Sequence, residues 1–183
     1  MILPVYRTDR LTVRPRTLDD IAALLDLHQD PEVMRFLGGP VVDRAAHERE
    51  LRERITRNWG EGLGFWSVVP TDDPSRYLGW VLLVPIEGKG PEIEIGWRFA
   101  RNSWGHGYAS EAAGPILRHG FEIVRLGEIV AVIDPHNSRS HRVAARIGLR
   151  RSGEHFAYGK SLAIYRLSRG DFVGAAAPGQ PRR

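Results

Sequence analysis

The chain has 183 residues, of which 42% are apolar and 26% are charged, as is typical of a single folded domain. The absence of cysteine excludes disulfides, thiolate metal sites and a cysteine nucleophile. No stretch approaches the ~20 apolar residues that span a bilayer, and no apolar signal core begins the chain, so we expect a cytoplasmic protein without a membrane partner. The net charge of +4 comes from arginines interleaved with carboxylates, which does not indicate a nucleic-acid partner.

The first third of the chain predicts one strand and two helices. Residues 5–14 alternate apolar and polar side chains up to a proline, which favours a strand. Residues 17–28 begin with the Thr-x-x-Asp spacing of a capping box and continue as a helix. Residues 30–40 are rich in Gly and Pro and predict a loop with one helical turn. An aspartate then caps a charged helix over residues 43–60.

The middle of the chain has the period of two that is typical of strands. Residues 65–69, 77–84 and 92–99 are separated by turn sequences and predict an antiparallel meander. In the third of these strands Glu94 and Arg98 lie on one face, and apolar residues lie on the other. We therefore predict that this strand has one buried face and one polar face.

The last part of the chain alternates helical and strand patterns. Residues 107–124 have apolar side chains at helical spacing, and residues 129–133 form a short apolar run typical of a buried strand. A second helix is predicted over residues 137–147, where a glycine stops it. Residues 149–156 and 160–167 predict a closing hairpin.

The order of elements indicates one mixed α/β domain, because no repeat or second composition regime is visible. We place this domain over residues 1–174. Residues 175–183 are small, basic or proline and predict a disordered tail.

A glycine-rich turn carries the main chemical signal. Residues 104–112 read Trp-Gly-His-Gly-Tyr-Ala-Ser-Glu-Ala, between a predicted strand and a predicted helix. Gly105 and Gly107 allow backbone conformations and close approaches that let helix-start amides converge on a phosphate. Ser110 adds a hydroxyl in the first helical turn. Taken alone, the Gly-x-Gly pattern is more often a tight strand-to-helix turn.

Three segments together resemble the GNAT superfamily of acetyltransferases. Gly107 and Ala109 match the end of its pyrophosphate motif. Trp104 replaces the usual Gln or Arg, which is typical of the subgroup similar to RimJ/RimL ribosomal-protein N-terminal acetyltransferases. The Glu-Ile-Gly-Trp of residues 94–97 resembles that subgroup's strand, and the Asn-Ser-Arg-Ser of residues 137–140 resembles its helix start.

The resemblance extends over about residues 7–170 and implies the family's fold and reaction. The implied fold is an α/β (α+β) single domain, with a mixed, mostly antiparallel sheet of about seven strands flanked by about four helices. The implied reaction is direct transfer of acetyl from acetyl-CoA, without a metal, to an amine of a protein N-terminus, a lysine or a small molecule. A monomer or homodimer is expected. The implied cofactor-binding residues are Trp97, Trp104, Gly105, His106, Gly107, Tyr108, Ala109, Ser110, Asn137, Arg139 and Ser140.

The resemblance also indicates candidate catalytic residues. An amine is mostly protonated at pH 7, so a base must accept its proton. Glu94 is the first candidate, acting through water, and Glu92 on the same face is the alternate. A salt-bridged strand carboxylate is the competing interpretation of Glu94. Ala144 stands where many GNAT enzymes carry an acidic tyrosine, so Ser140 is the candidate that assists the leaving thiolate, with helix capping or cofactor binding as its competing role.

Two functional questions stay open at the level of sequence. The missing tyrosine leaves a non-catalytic acyl-CoA-binding or sensor module as the alternative to an enzyme. The acceptor amine depends on loops whose shape the sequence does not specify. No histidine has metal-ligand spacing to a carboxylate, so we expect no metal.

Overall fold

One sheet of eight strands runs through residues 3–172, the part of the chain that the computed structural model describes. The strands are β1 (Tyr6–Arg7), β2 (Leu11–Pro15), β3 (Gly64–Pro70), β4 (Gly79–Pro85), β5 (Ile93–Phe99), β6 (Glu128–Ile133), β7 (Arg150–Ala157) and β8 (Lys160–Ser168). Their spatial order is β1-β2-β3-β4-β5-β6-β8-β7. The expected boundary at residue 174 and the expected tail over 175–183 lie outside the described residues.

Five α-helices flank this sheet in the described chain. They are α1 (Ile21–Gln29), α2 (Pro31–Met34), α3 (Arg44–Thr56), α4 (Tyr108–Arg118) and α5 (Ser138–Arg146). Three of them begin at side chains that accept a main-chain hydrogen bond: Asp30 at α2, Asp43 at α3 and Asn137 at α5. No helix within residues 3–172 is both long enough and apolar enough to cross a bilayer.

The sheet is buried on both faces by helices from different parts of the chain. On one face, side chains of α1 and α3 such as Leu24 and Leu51 pack against Trp80 and Leu82 of β4. On the other face, α4 and α5 pack on the alternate residues of the same strand, including Val81. Because both faces are covered, β4 is apolar at nearly every position rather than at every second one.

The pairing of β5 differs on its two sides. Antiparallel pairing with β4 continues over seven residue pairs, from Gly79 and Phe99 to Pro85 and Ile93. Parallel pairing with β6 is confined, in the described chain, to the pair of Glu94 with Val130. The carboxyl ends of β5 and β6 therefore separate, and α4 and α5 begin beside the gap.

The mixed, mostly antiparallel α/β architecture expected from the sequence is confirmed. The single strand predicted over residues 5–14 is wrong in detail, because Thr8 closes a turn that splits it: its N–H donates to the Leu11 carbonyl at 2.9 Å. This split raises the strand count to eight. The helix predicted to residue 60 ends at Thr56, since Arg57 has an extended conformation with ψ of 137°.

The predicted polar face of β5 does carry Glu94 and Arg98, which pair across the sheet with Val84 and Trp80. This face is less accessible than the pattern indicates, because only 8% of Glu94 is exposed and Arg98 is half-buried. Alternation in a sequence reports the chemistry of side chains and not what covers them.

Candidate active site

A cleft with a volume of about 380 Å³ lies beside the carboxyl end of β5. Its walls are the last residues of β5, the turn that leads into α4, one side of α5, and α2 with the two residues Phe36 and Leu37 that follow it. Since α4 and α5 both begin here, their N-terminal amides lie at the same end of the sheet.

The turn before α4 has the left-handed backbone that glycine favours. Gly105 has φ of 82° and Gly107 has φ of 81°, and Gly107 is the N-cap of α4. A Cβ on Gly107 would meet nothing closer than Arg10 Nη2 at 3.7 Å. The requirement for glycine therefore comes from the backbone angle and not from crowding within the protein. Main-chain N–H groups of the first helical turn, at residues 108–110, lack acceptors within the helix.

The chemistry of the cleft fits a phosphate-bearing ligand. Ser110 Oγ is buried and has no hydrogen-bond partner in the described chain, so a ligand oxygen can accept from it. Arg139, Arg142 and Arg146 line the cleft from one side of α5, and Glu32 is the one acidic residue among the lining residues. None of these three arginines pairs with a carboxylate within residues 3–172. The positive charge is therefore available to an anionic ligand.

Ten of the eleven predicted cofactor-binding residues line this cleft. The exception is His106, whose carbonyl accepts a hydrogen bond from Arg10 Nη2 at 2.9 Å and whose ring stacks on Tyr108 with 5.4 Å between centroids. The contacts of His106 thus stabilise the turn and do not line the cleft. The prediction missed Arg142 and Arg146, although their spacing of three and seven residues from Arg139 places all three on one side of the predicted helix.

Glu94 is a buried carboxyl group beside the cleft. It does not belong to the lining of the cleft, but it precedes the lining residue Trp97 by three positions on β5. Tyr158 OH donates a hydrogen bond to its Oε2 at 2.6 Å. Burial raises the pKa of Glu94 to about 7, against the lowering effects of the Tyr158 hydrogen bond and of the Arg54 charge. Near neutral pH the carboxyl group can therefore either hold or accept a proton.

Tyr158 comes from the two-residue turn between β7 and β8, where its φ is 51°. Its N–H donates to Glu87 Oε1 at 2.7 Å, and the Glu87 N–H donates to its hydroxyl at 3.2 Å. Burial, followed by the charge of Glu94, raises the pKa of Tyr158, so the hydroxyl stays a hydrogen-bond donor. The sequence did not indicate this contact, because 64 positions separate the two residues.

The other catalytic candidates occupy different environments. Glu92 precedes β5 and lies 3.9 Å from Arg166. Ser140 lines the cleft in the first turn of α5, and its N–H donates to Asn137 Oδ1 at 3.1 Å. Ala144, which replaces the family's usual tyrosine, is fully buried in the core.

Comparison with known proteins supports the same family. The family model for the acetyltransferase (GNAT) domain matches residues 10–150. This chain belongs to the GNAT acetyltransferase family. It is thus an acetyl-CoA-dependent acyltransferase with the GNAT fold.

Relatives of this GNAT enzyme cover most of its length. The uncharacterized N-acetyltransferase YnaD of Bacillus subtilis (strain 168) is 32% identical over 146 residues, or 80% of this chain and 82% of YnaD. An acetyltransferase structure from Agrobacterium tumefaciens is 28% identical, with a TM-score of 0.77, and the match covers 91% of this chain and 95% of that one. A spermidine N-acetyltransferase from Vibrio cholerae, solved with CoA and spermine, shares the fold with a TM-score of 0.72 at 18% identity, over 89% of this chain and 98% of that one. CoA is thus bound within this fold.

The raised pKa of Glu94 predicts how the stability of this GNAT enzyme depends on pH. The folded-state pKa lies above the ordinary value, so the contribution of Glu94 to stability is fully present below about pH 4.5 and is lost as the pH rises through 7. Glu94→Gln removes this loss. The variant should gain about 2 to 3 kcal/mol relative to the wild type between pH 5 and pH 8, as measured by urea unfolding.

Tyr158→Phe serves as the companion variant, since it deletes the hydrogen bond that lowers the Glu94 pKa while keeping the ring. In this variant the midpoint of the Glu94 carboxyl resonance should move to higher pH. A Glu94 midpoint near 4.5 in the wild type would contradict the buried environment described here.

Proposed function

We propose that this GNAT enzyme transfers acetyl from acetyl-CoA to a primary amine, with Glu94 as the base that accepts the amine proton. The observation that carries the proposal is a buried carboxyl group of near-neutral pKa, held by Tyr158 on the strand that leads into a phosphate-compatible cleft. A non-catalytic acyl-CoA sensor needs the cleft but has no use for such a group. The enzyme is therefore favoured over the sensor.

The turn before α4 and the arginines of α5 hold the phosphates of the donor in this proposal. Amides of residues 108–110 and the unpartnered Ser110 hydroxyl donate hydrogen bonds, while Arg139, Arg142 and Arg146 supply charge. The Arg139 guanidinium also stacks 4.2 Å from the centroid of the Trp104 ring, and this contact orients the first of the three arginines. Bound acetyl-CoA supplies the thioester carbonyl that an amine can attack.

Glu94 is suited to accept a proton near neutral pH. A general base works best when its pKa lies near the working pH, and burial gives Glu94 a value of about 7. Tyr158 holds Oε2, which leaves Oε1 to accept the proton. Since Glu94 does not line the cleft itself, we propose that one water molecule relays the proton from the amine.

Ser140 is the proposed partner of the departing sulfur. It lies in the first turn of α5, where the helix dipole also favours negative charge. Ala144 offers no proton donor, and a thiol with a pKa of ~8.5 needs little assistance to leave. The contribution of Ser140 is therefore expected to be modest.

The subgroup and the acceptor are further parts of the proposal. Trp104 and the strand sequence of residues 94–97 support the RimJ/RimL-like subgroup. A protein N-terminus, a lysine or a small-molecule amine each satisfies the chemistry of Glu94. A screen of such amines with acetyl-CoA, which reads the release of free thiol, tests the reaction directly.

Gly107→Val should weaken CoA binding by more than tenfold. Valine at φ of 81° is strained, so the turn relaxes and its amides no longer converge on the phosphates. Calorimetry in the presence of EDTA measures the affinity. Gly114→Val, within the same helix and with no atom within 4 Å of an added Cβ, is the matched control and should retain affinity. Failure of the wild-type protein to bind CoA would remove the basis of the proposal.

Glu94→Gln should keep CoA affinity and lower kcat/KM by about 10² to 10³, because positioned general bases contribute on this scale. The wild-type pH profile should rise with a midpoint near 7, and the variant should lose this limb. Glu92→Gln decides between the two carboxylates. If Glu92→Gln loses the limb while Glu94→Gln keeps it, Glu92 is the base.

Ser140→Ala should lower kcat about tenfold to thirtyfold and change CoA affinity little. A hydrogen bond to developing charge on sulfur strengthens only in the transition state, and it is worth ~2 kcal/mol. Steady-state kinetics and calorimetry separate the two effects. An unchanged kcat with weakened CoA binding would assign Ser140 to cofactor binding instead.

A further inference from the structure

Unpartnered buried polar atoms concentrate on the face of the sheet that carries α1 and α3. Seven buried side-chain nitrogen or oxygen atoms lack a hydrogen-bond partner within residues 3–172. One is Ser110 Oγ in the cleft. The other six belong to five residues of the opposite face: Arg16, His28, Tyr77, Trp80 and Arg98. Buried polar groups are normally satisfied, so these atoms have hydrogen-bonding capacity that a polar ligand can use.

Two guanidinium groups dominate this cluster, and both lie on the ring of Trp80. Arg16 Cζ is 5.1 Å from the Trp80 ring centroid and 4.5 Å from that of Phe65. Arg98 Cζ is 4.9 Å from the Trp80 centroid. Arg16 is only 9% exposed, and both its Nε and its Nη2 are buried without a partner. The ring stacking orients both cations but does not neutralise their charge.

Within residues 3–172 no carboxylate forms an ion pair with either guanidinium group, and the charges of Asp20 at Arg16 and of Glu50 at Arg98 offset the effect of burial only in part. The nearby Asp20 is already occupied, because Arg14 donates to both of its oxygens at 2.6 and 2.9 Å and Ser67 donates at 2.8 Å. The contact of Arg98 Nη1 is the sulfur of Met34 at 3.4 Å, which carries no charge. An unpaired buried cation is costly, and two together are more so.

Both arginines of the cluster stay cationic at neutral pH, although burial lowers their pKa values. Burial, and then the charge of Arg54, lowers the pKa of Arg98 to about 9. Burial lowers the pKa of Arg16 to about 10, so both remain protonated at neutral pH. Burial, followed by the charge of Arg98, lowers the pKa of His28 to about 2, which keeps His28 neutral. Arg54 Cζ lies 5.3 Å from the Phe65 centroid, and Glu50, 3.4 Å from Arg54, offsets part of the effect of burial on Arg98.

We propose that Arg98, with the positive charge of Arg16 on the same Trp80 ring, binds a carboxylate of the acceptor, so that this enzyme acetylates amines that also carry an acidic group. The inference rests on the proposed acetyl transfer, and it adds the class of acceptor. Arginine forks match carboxylate geometry, while Tyr77 OH and Trp80 N–H supply further donors at the same place.

The position of Arg98 connects this cluster to the catalytic site. Arg98 lines the cleft, and it lies on the same face of β5 as Glu94, four residues further along. Four strand residues span about 13 Å between their Cα atoms. The side chains of Glu94 and Arg98 occupy part of the distance between their Cα atoms. The remaining distance suits an acceptor whose amine and carboxylate are separated by several bonds.

The first test measures binding without catalysis. Hexanoate should raise the Tm of the wild-type protein by at least about 3 °C over sodium chloride of equal ionic strength, as expected for a ligand that binds the native state. Arg98→Met and Arg16→Met, which keep an unbranched stem and remove the guanidinium group, should abolish this shift. Without ligand, their Tm should equal or exceed that of the wild type, because an unpaired buried charge has been removed. Arg49→Met, at an exposed position of α3, is the control and should keep the full shift.

The second test measures acceptor choice. Aminohexanoate and hexylamine present the same amine with and without a carboxylate, and aminobutyrate shortens the separation. The wild type should prefer aminohexanoate over hexylamine by at least tenfold in kcat/KM. Arg98→Met should erase this preference by lowering the rate with aminohexanoate far more than the rate with hexylamine.

The two tests fail separately. If the wild type acetylates both amines equally and hexanoate does not stabilise it, the carboxylate site is refuted while acetyl transfer stands. If neither amine reacts but hexanoate stabilises the wild type and not Arg98→Met, the anion site stands and the proposed function fails. Stabilisation by inorganic phosphate and not by hexanoate would assign the cluster to a free inorganic anion and overturn the inference.

Discussion

The parallel pairing of β5 with β6 is the constraint on which the site depends. A parallel pair needs a crossover, and here the crossover contains α4, whose first turn must lie beside the carboxyl end of β5. β6 ends at the same side of the sheet, so α5 also begins there. Because the two strands pair at Glu94 and Val130 and then diverge, the starts of both helices face a gap and not a continuous ladder. The phosphate-compatible turn and the arginines of α5 follow from this geometry.

The same strand brings an acid group to the gap without exposing it to bulk water. Glu94 lies at the last point where β5 and β6 are paired, under the tip of the β7–β8 hairpin. The hairpin is fixed by Lys160, whose Nζ donates to the Phe36 carbonyl at 2.6 Å and to Asp134 Oδ2 at 2.7 Å. Burial of Glu94 raises its pKa by more than the hydrogen bond from Tyr158 lowers it.

The sequence predicted the features that depend on neighbouring residues, and it did not predict contacts between distant segments. The glycine turn, the N-cap at Asn137 and most element limits depend on neighbouring residues, and the structure places them where the patterns indicated. Contacts between distant segments left no such signal. Tyr158 reaches Glu94 only because the sheet brings β8 beside β6, and the burial of Arg98 depends on helices that precede it by about 60 residues. A polar residue at alternate strand positions has the same pattern whether water or a helix covers it, so the sequence did not indicate the burial of Glu94.

The arginines near the site fall into two groups. One group is exposed on α5, and the other is stacked on Trp80 in the protein interior. The arginines of α5 are exposed, unpaired and beside the helix-start amides, so they can meet a strongly hydrated, multiply charged donor with little desolvation. Arg16 and Arg98 stack on Trp80, where Arg16 is largely removed from water and Arg98 is half-buried. For the proposed acceptor, this pair favours an anionic group over a neutral or cationic one, because each unsatisfied donor must otherwise stay unpaired. The apolar cores on both sides of β4 offset the stability that these buried charges cost. In the proposed reaction the α5 arginines bind the donor and Arg98 binds the acceptor, and Glu94 lies on the same face of β5 as Arg98.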